Sequence, residues 1–277
     1  MILTGVLNVT PDSFSDGGSF LHPERAVRRA RRLAADGADL VDVGGESTRP
    51  GAEAVSAEQE LERVAPVLER IAADELRVSI DTSKLAVAEA ALDAGAEVVN
   101  DVTSFRSEPE LAGLCAERDC RVVLMHMLGT PRTMQDDPVY EDVVDDVKGF
   151  LAERIEFALE AGISEERIWV DPGIGFGKTL EHNLELLRRL GELRELGRPI
   201  CIGTSRKSFI GRITRREVDE RLGGTIASNV IALANGAEVF RVHDVRPVRE
   251  ALQVAAAILA PEAAGVTDER RPETTTA

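Results

Sequence analysis

One rhythm runs the length of the chain and narrows its possible folds more than anything else: a short β-branched apolar run, a polar loop, then a stretch with helical spacing. Eight such runs occur: LTGVLNV ending at Val9, DLVDV at Val43, RVSI at Ile80, EVVN at Asn100, RVVLM at Met125, RIWV at Val170, PICI at Ile202 and EVFRV at Val242. Strands that alternate with helices form parallel sheets, and eight of them predict a closed barrel. The fold class expected is α/β, a single-domain (β/α)8 TIM barrel with its active site at the C-terminal ends of the strands. Residues 1–260 form the barrel, and the polar, non-periodic residues 261–277 are expected to be a disordered tail. A length of 277 residues suits one such unit.

The stretches between the runs read as helices. PERAVRRARRLAADG places Pro23 in a first turn and Gly37 at a C-terminal cap, and AEQELERVAPVLERIAAD and SKLAVAEAALDAG follow the same pattern. Between Tyr140 and Gly162, one helical face carries Val143, Val147, Phe150, Leu151, Ile155 and Leu159.

Charge limits the partners. Lys+Arg 33 against Asp+Glu 49 gives a formal charge of -16, which repels nucleic acid and anionic membranes unless the cations are concentrated in one place. No run approaches the ~20 apolar residues a membrane helix needs. The start MILTGVLNVTPD lacks a basic segment followed by a long apolar one, so the expected location is cytoplasmic. Cys115, Cys120 and Cys201 have no CxxC spacing, which points to neither a disulfide framework nor a zinc site.

The unusual polar residues gather where the predicted strands end. Asn8 closes the first, Asp42 with GGESTRPG follows the second, Asp81 the third, Asn100 and Asp101 the fourth and His126 the fifth. Asp171 follows the sixth, SRKS at 205–208 the seventh, and Arg241, His243 and Asp244 mark the eighth. In a barrel of this kind these ends converge on the face that carries active sites. The cations Arg49, Arg206, Lys207, Arg241 and His243 fall on the same face, so a polyanionic group is expected there. Asn8, a neutral oxygen ligand, suits a Mg²⁺ already carried by a diphosphate better than a self-sufficient metal cage. Asp171, held before Pro172, can accept two parallel hydrogen bonds from the planar N–C–N edge of a guanidine or 2-amino-4-oxopyrimidine, with Asp81 and Asn100 as further planar groups. Each has a plainer reading as a helix cap or turn residue. Lys207 equally suits a Schiff-base lysine, and His243 a satisfied histidine at the barrel end.

The stretch DPGIGFGKT, residues 171–179, imitates a phosphate loop. A Walker loop needs glycine where Pro172 stands, and a dinucleotide fingerprint needs a third glycine where Lys178 stands. What remains is a glycine-permitted turn from a strand into the helix LEHNLELLRRL.

Long motifs in order carry a family resemblance. NVTPDSFSDGG at 8–18, GGESTRPG at 44–51, SIDTSK at 79–84, VVND at 98–101, MHMLGTPRTMQ at 125–135, DPGIGFGK at 171–178, TSRKSFIG at 204–211 and RVHDV at 241–245 resemble the dihydropteroate synthase family. The resemblance spans residues 3 to about 259; Cys201 and Gly203–Thr204 depart from the more usual apolar lead-in to Ser205. It implies condensation of 6-hydroxymethyl-7,8-dihydropterin diphosphate with 4-aminobenzoate, giving 7,8-dihydropteroate and diphosphate in folate synthesis, with Mg²⁺ as cofactor.

By matching position, the resemblance implies a pterin pocket of Asp81, Asn100, Asp171 and Lys207, with Asp171 on the 2-amino and N3–H edge and Met125 and Phe176 flanking the ring. It implies Asn8 as the Mg²⁺ ligand, and Arg241, His243, Ser47 and Arg49 as diphosphate anchors. Thr48, Pro50, Phe176, Ser205 and Lys207 are implied for the aminobenzoate site. Phe14 and Asp16 would sit on a mobile first loop. Asp16, Lys207 and Arg241 would carry the catalysis, Asp16 by stabilising a cationic methylene as loops 10–21 and 44–55 close. A homodimer built on the last helices is implied too. Two rivals remain at this point: a pterin-binding methyltransferase module, which should not need SRKS and RVHDV, and a catalytically silent paralogue.

Overall fold

The computed structural model describes residues 1–10, 22–48 and 51–260. Strands β1 (Ile2–Asn8), β2 (Leu40–Gly44), β3 (Val78–Asp81), β4 (Val98–Asp101), β5 (Arg121–Met125), β6 (Ile168–Asp171), β7 (Ile200–Ile202) and β8 (Ala237–Val242) close a parallel barrel in sequence order, β1 pairing with both β2 and β8. Around it lie α1 (His22–Ala35), α2 (Ala57–Ala73), α3 (Leu85–Asp93), α4 (Glu110–Glu117), α5 (Val143–Glu160), α6 (Leu180–Arg188), α7 (Ser208–Thr214), α8 (Leu222–Ala234) and α9 (Val245–Leu259). None of the described helices is long and apolar enough to cross a membrane. The tail expected at 261–277 lies outside the described residues.

Strand residues alternate between two cores. Outward-facing Val41, Val43, Ile80, Val99, Leu124, Val170, Ile202 and Val242 pack into the large cluster shared with the helices. The opposite phase closes the barrel with a smaller plug of Leu40, Val98, Val123, Trp169, Cys201 and Val239. Cys201 is a packing residue of that plug, and Cys115 and Cys120 are buried free thiols, as their spacing suggested.

The strand ends differ slightly from expectation, for a reason that bears on function. β2, β3, β4 and β6 each run one residue further than expected, to Gly44, Asp81, Asp101 and Asp171. Asp81 pairs in register with Asn100, and Met125 with Asp171. These polar groups therefore form the last rungs of the ladder, and their backbones are held by it.

Candidate active site

Two positions beyond four of the six plug residues, the same inward phase becomes polar: Leu40 leads to Asp42, Val98 to Asn100, Trp169 to Asp171 and Val239 to Arg241, whereas Val123 leads to Met125 and Cys201 to Gly203. A period of two thus sets a mostly polar layer directly on an apolar floor. Asp42, Asp81, Asn100 and Asp171 are all buried there.

Arg241 binds this layer together. Its Nε donates to Asp42 Oδ2 at 2.5 Å, its Nη2 donates to Asp81 Oδ2, and Asn100 Nδ2 adds a long 3.4 Å contact to Asp42. Burial works against the charge of Arg241, but the two carboxylates overcome it and hold the guanidinium protonated. Burial raises the pKa of Asp81; Arg241 opposes this and Asp42 adds to it. Two of the five guanidinium donors are engaged in these pairs. Asp42 was expected only as part of the loop after β2, yet it is the central partner of Arg241. The signal that it faces inward was its spacing of two from Leu40.

The DPGIGFGKT stretch is a turn. Gly173, Gly175 and Gly177 have φ of 67°, 83° and 65°, where side chains are strained, and a Cβ on Gly173 would meet the carbonyl oxygen of His126. The turn folds back so that Gly173 N donates to Asp171 Oδ1 at 2.7 Å, engaging one of the oxygens expected to face a ligand. Lys178 is buried and its ammonium is turned inward to protein partners. Its Nζ lies 2.8 Å from His126 Nδ1 and donates to the Phe176 carbonyl at 3.0 Å, tying the turn to the segment after β5. Burial, then the charge of Lys178, pushes the His126 pKa down to about 2, so the ring is a neutral acceptor. Neither partner was expected in this role, because nothing in the linear sequence pairs positions 126 and 178.

Phe176 is buried with Val102, Met125, Met127 and Met134, so the two expected ring-flanking residues share one cluster. Lys207 Nζ lies 4.0 Å from the Phe176 ring centroid, and its aliphatic stem crosses Gly175, where a Cβ would come within 3.2 Å. Burial lowers the Lys207 pKa to about 8; Asp171 acts against this and Arg241 with it.

The expected concentration of positive charge is largely compensated from within. Arg206 is held by Asp244 at 2.9 and 2.6 Å, and Arg241 by two aspartates. His243 is neutral, its pKa driven to about 3 by burial and then by Arg241. Ser205 and His243, expected at different subsites, are bonded to each other: Ser205 Oγ accepts from His243 N at 3.1 Å and lies 3.0 Å from its Nδ1. Lys207 forms no carboxylate ion pair among the described residues.

On the strand next to β8, Asn8 is half-buried at the end of β1, in register with Gly44. Ser47 and Thr48 are half-buried at the start of the loop after β2, which touches the loop after β5 where Gly51 N donates to Pro131 O at 3.2 Å. Phe14, Asp16, Arg49 and Pro50 lie outside the described residues. No group of three or more His, Cys, Asp or Glu among the described residues could hold a metal alone.

The chain is similar to known proteins over most of its length. Residues 4–243 match the family described as pterin binding enzyme. Dihydropteroate synthase of Escherichia coli K12 is 48% identical over 256 residues, covering 92% of this chain and 90% of the relative. The structure of Xanthomonas albilineans dihydropteroate synthase with 4-aminobenzoic acid superposes with a TM-score of 0.88 at 48% identity, covering 94% of this chain and 93% of that one. A second structure of the Xanthomonas albilineans protein, in complex with 7,8-dihydropteroate, gives 0.85 at 45% identity, covering 94% of both chains.

Proposed function

Since the chain belongs to the pterin binding enzymes, and within them to the dihydropteroate synthase family, we infer that it condenses 6-hydroxymethyl-7,8-dihydropterin diphosphate with 4-aminobenzoate. The products are 7,8-dihydropteroate and diphosphate, a transferase reaction of folate synthesis. The similarity to synthases extends through the SRKS and RVHDV segments, which favours this reading over a methyltransferase module. The observation that carries it is the polar layer on the plug, where strand-borne hydrogen-bonding groups are paired in register beside a cluster of Met125 and Phe176.

In this reading Asp171 takes the 2-amino and N3–H edge of the pterin with the lone pairs its turn leaves available, and Asp81 and Asn100 take the adjoining polar edges. Met125 and Phe176 flank the ring, and Lys207 lies over Phe176 where it meets both substrates. Arg241 keeps three of its five donors for the diphosphate, aided by His243, Ser47 and Arg49. Thr48, Pro50, Phe176, Ser205 and Lys207 form the 4-aminobenzoate site. Phe14 and Asp16 of the first loop are assigned by the family pattern, Asp16 to stabilise the cationic methylene.

The described acidic and histidine side chains do not form a metal cage, whereas the neutral oxygen of Asn8 fits a Mg²⁺ that arrives with diphosphate. Bound there, the ion would neutralise diphosphate charge. Arg241 steadies the departing diphosphate as the methylene C–O bond breaks, and Asp16 offsets the positive charge left on carbon. The arylamine nitrogen forms the new C–N bond and then loses its proton to solvent, so no strong base is required. Closure of the loops after β1 and β2 excludes water, the competing nucleophile.

A homodimer is part of the reading. A groove of about 630 Å³ between α6, α7 and α8 is lined by Leu184, Phe209, Ile210, Ile213 and Ile231, of which Ile213 and Ile231 are more than half exposed. The cytoplasm is the proposed location. The test supplies the purified protein with pterin diphosphate, Mg²⁺ and 4-aminobenzoate; dihydropteroate with matched diphosphate release is expected. Diphosphate loss without coupled product overturns the reading in favour of a silent paralogue.

A further inference from the structure

A buried carboxylate breaks the apolar face of α2. Its buried residues are Glu60, Val64, Val67, Leu68 and Ile71, and Glu60 is fully buried. Glu60 Oε2 accepts from Lys84 Nζ at 2.5 Å, while Oε1 has no hydrogen-bond partner among the described residues. An apolar side chain would be the more stabilising occupant of such a position. A structural explanation from packing alone is therefore lacking, and the contacts of Lys84 supply another.

Lys84 Nζ also donates to Glu46 Oε2 at 2.6 Å. Glu46 opens the loop after β2 and spans it, because its Oε1 accepts from Val55 N at 3.0 Å. The preceding residue, Gly45, lies flat on α2: a Cβ there would come within 2.8 Å of Glu60 Cγ and Val64 Cγ1, and Arg63 Nη1 donates to the Gly45 carbonyl at 2.7 Å. On the other side, Lys84 N donates to Thr82 Oγ1 at 3.2 Å, one residue after Asp81. Burial disfavours the Lys84 charge, but its hydrogen bonds to Glu46 and then to Glu60 outweigh this and raise its pKa. Lys84 thus joins three elements: its backbone N–H meets Thr82 beyond the end of β3, and its ammonium ties Glu60 on α2 to Glu46, which in turn spans the loop to Val55.

We propose that Lys84 is a positioning residue for the second substrate: it clamps Glu46 against Glu60, fixes the root of the 45–55 loop, and so sets Ser47 and Thr48 over the site. This rests on the synthase reading above. The Lys84 ammonium is bonded to Glu46 and Glu60 and to none of Asp81, Asn100 and Asp171, so it acts through Glu46. Loosening the loop root admits water, which attacks the methylene carbon in place of the amine; the C–O bond still breaks, diphosphate still leaves, and hydroxymethyl-dihydropterin forms with loss of a proton to solvent.

The test compares the full-length wild type with Lys84→Met, Lys84→Arg and Glu46→Gln, the last leaving the Lys84–Glu60 pair intact should Lys84→Met fold poorly. The expected result is a KM for 4-aminobenzoate raised about tenfold in Lys84→Met and Glu46→Gln, with pterin diphosphate affinity by calorimetry reduced by a smaller factor of about threefold, because Ser47 moves with the loop while Arg241 and His243 stay in place. More diphosphate than dihydropteroate should be released, and Lys84→Arg should restore the balance. An unmoved KM with one-to-one products in Glu46→Gln overturns the proposal, as does an equal loss of affinity for both substrates. A wild type that forms no dihydropteroate would remove the reaction itself; a competent wild type with unmoved variants would overturn this proposal alone.

Discussion

The ammonium of Lys207 rests 4.0 Å from the centre of the Phe176 ring, on the face of the pocket that Asp171 also borders. An ammonium with a pKa near 8 in this position makes pH a probe of the site.

Two slopes of opposite sign follow from that one group. The folded-state pKa of about 8 lies below the unfolded value of roughly 10.4, so between them the unfolded chain binds more protons. Burying the charged amine penalises stability fully below pH ~8, and the penalty is relieved as pH rises towards 10.4. Affinity for anionic pterin diphosphate should fall over the same range, since the cation is being lost. Calorimetric titrations and melts across this range should show both trends, and Lys207→Met should flatten both; an affinity indifferent to pH in the wild type would count against the role given to Lys207.

Asp171→Asn keeps the shape of the side chain and an oxygen for Gly173 N, but loses the charge and half the acceptors. Charged hydrogen bonds are worth about 1.5–3 kcal/mol each, so pterin diphosphate should bind on the order of 100-fold more weakly. The melting temperature should hardly change. Calorimetry showing unchanged affinity would remove Asp171 from the pterin edge.

Asp42→Ala leaves Arg241 with one carboxylate instead of two at the bottom of the site. Breaking a buried pair from one side costs roughly 3 kcal/mol, which in a chain of this size lowers Tm by about 6–12 °C. The double variant Asp42→Leu/Arg241→Leu should recover part of that loss while losing diphosphate binding. Thermal melts of the single and double variants decide the point: a double variant that melts below the single would show that the pair itself stabilises the barrel.

Ile231→Glu puts a carboxylate in the middle of the apolar groove on α8, where the wild-type side chain is 52% exposed. Sedimentation should show a dimer for the wild type and a monomer for the variant, at closely similar Tm. A monomeric wild type would refute the dimer.

The sequence made the barrel and its polar rim legible because both depend on local periodicity. Asp81, Asn100 and Asp171 interrupt apolar β-branched runs at their ends, and a strand period of two fixes which face they share. Ladder pairing carried the strands one residue beyond the apolar run at Asp81 and Asp171, since backbone hydrogen bonds do not depend on side-chain polarity. Pairing between distant positions was not legible. Arg241 and Asp42 are separated by 199 positions and Lys178 and His126 by 52, and only the closed barrel brings them together. The cations therefore looked free in the sequence, although Arg206 and Arg241 already have carboxylate partners.

The polar layer that stands on the plug belongs to strands, whereas Ser47 and Thr48 belong to a loop tied down at its root and at Gly51. An inherited change at Arg241 would break the buried pairs with Asp42 and Asp81 as well as the proposed diphosphate contact. A change at the loop tip meets no such double penalty. On the proposed assignment of the site, heritable adjustment of which aromatic amine is accepted would meet less structural resistance at the loop than at Arg241, so compounds that grip the strand-borne half would leave the protein fewer ways to evade them.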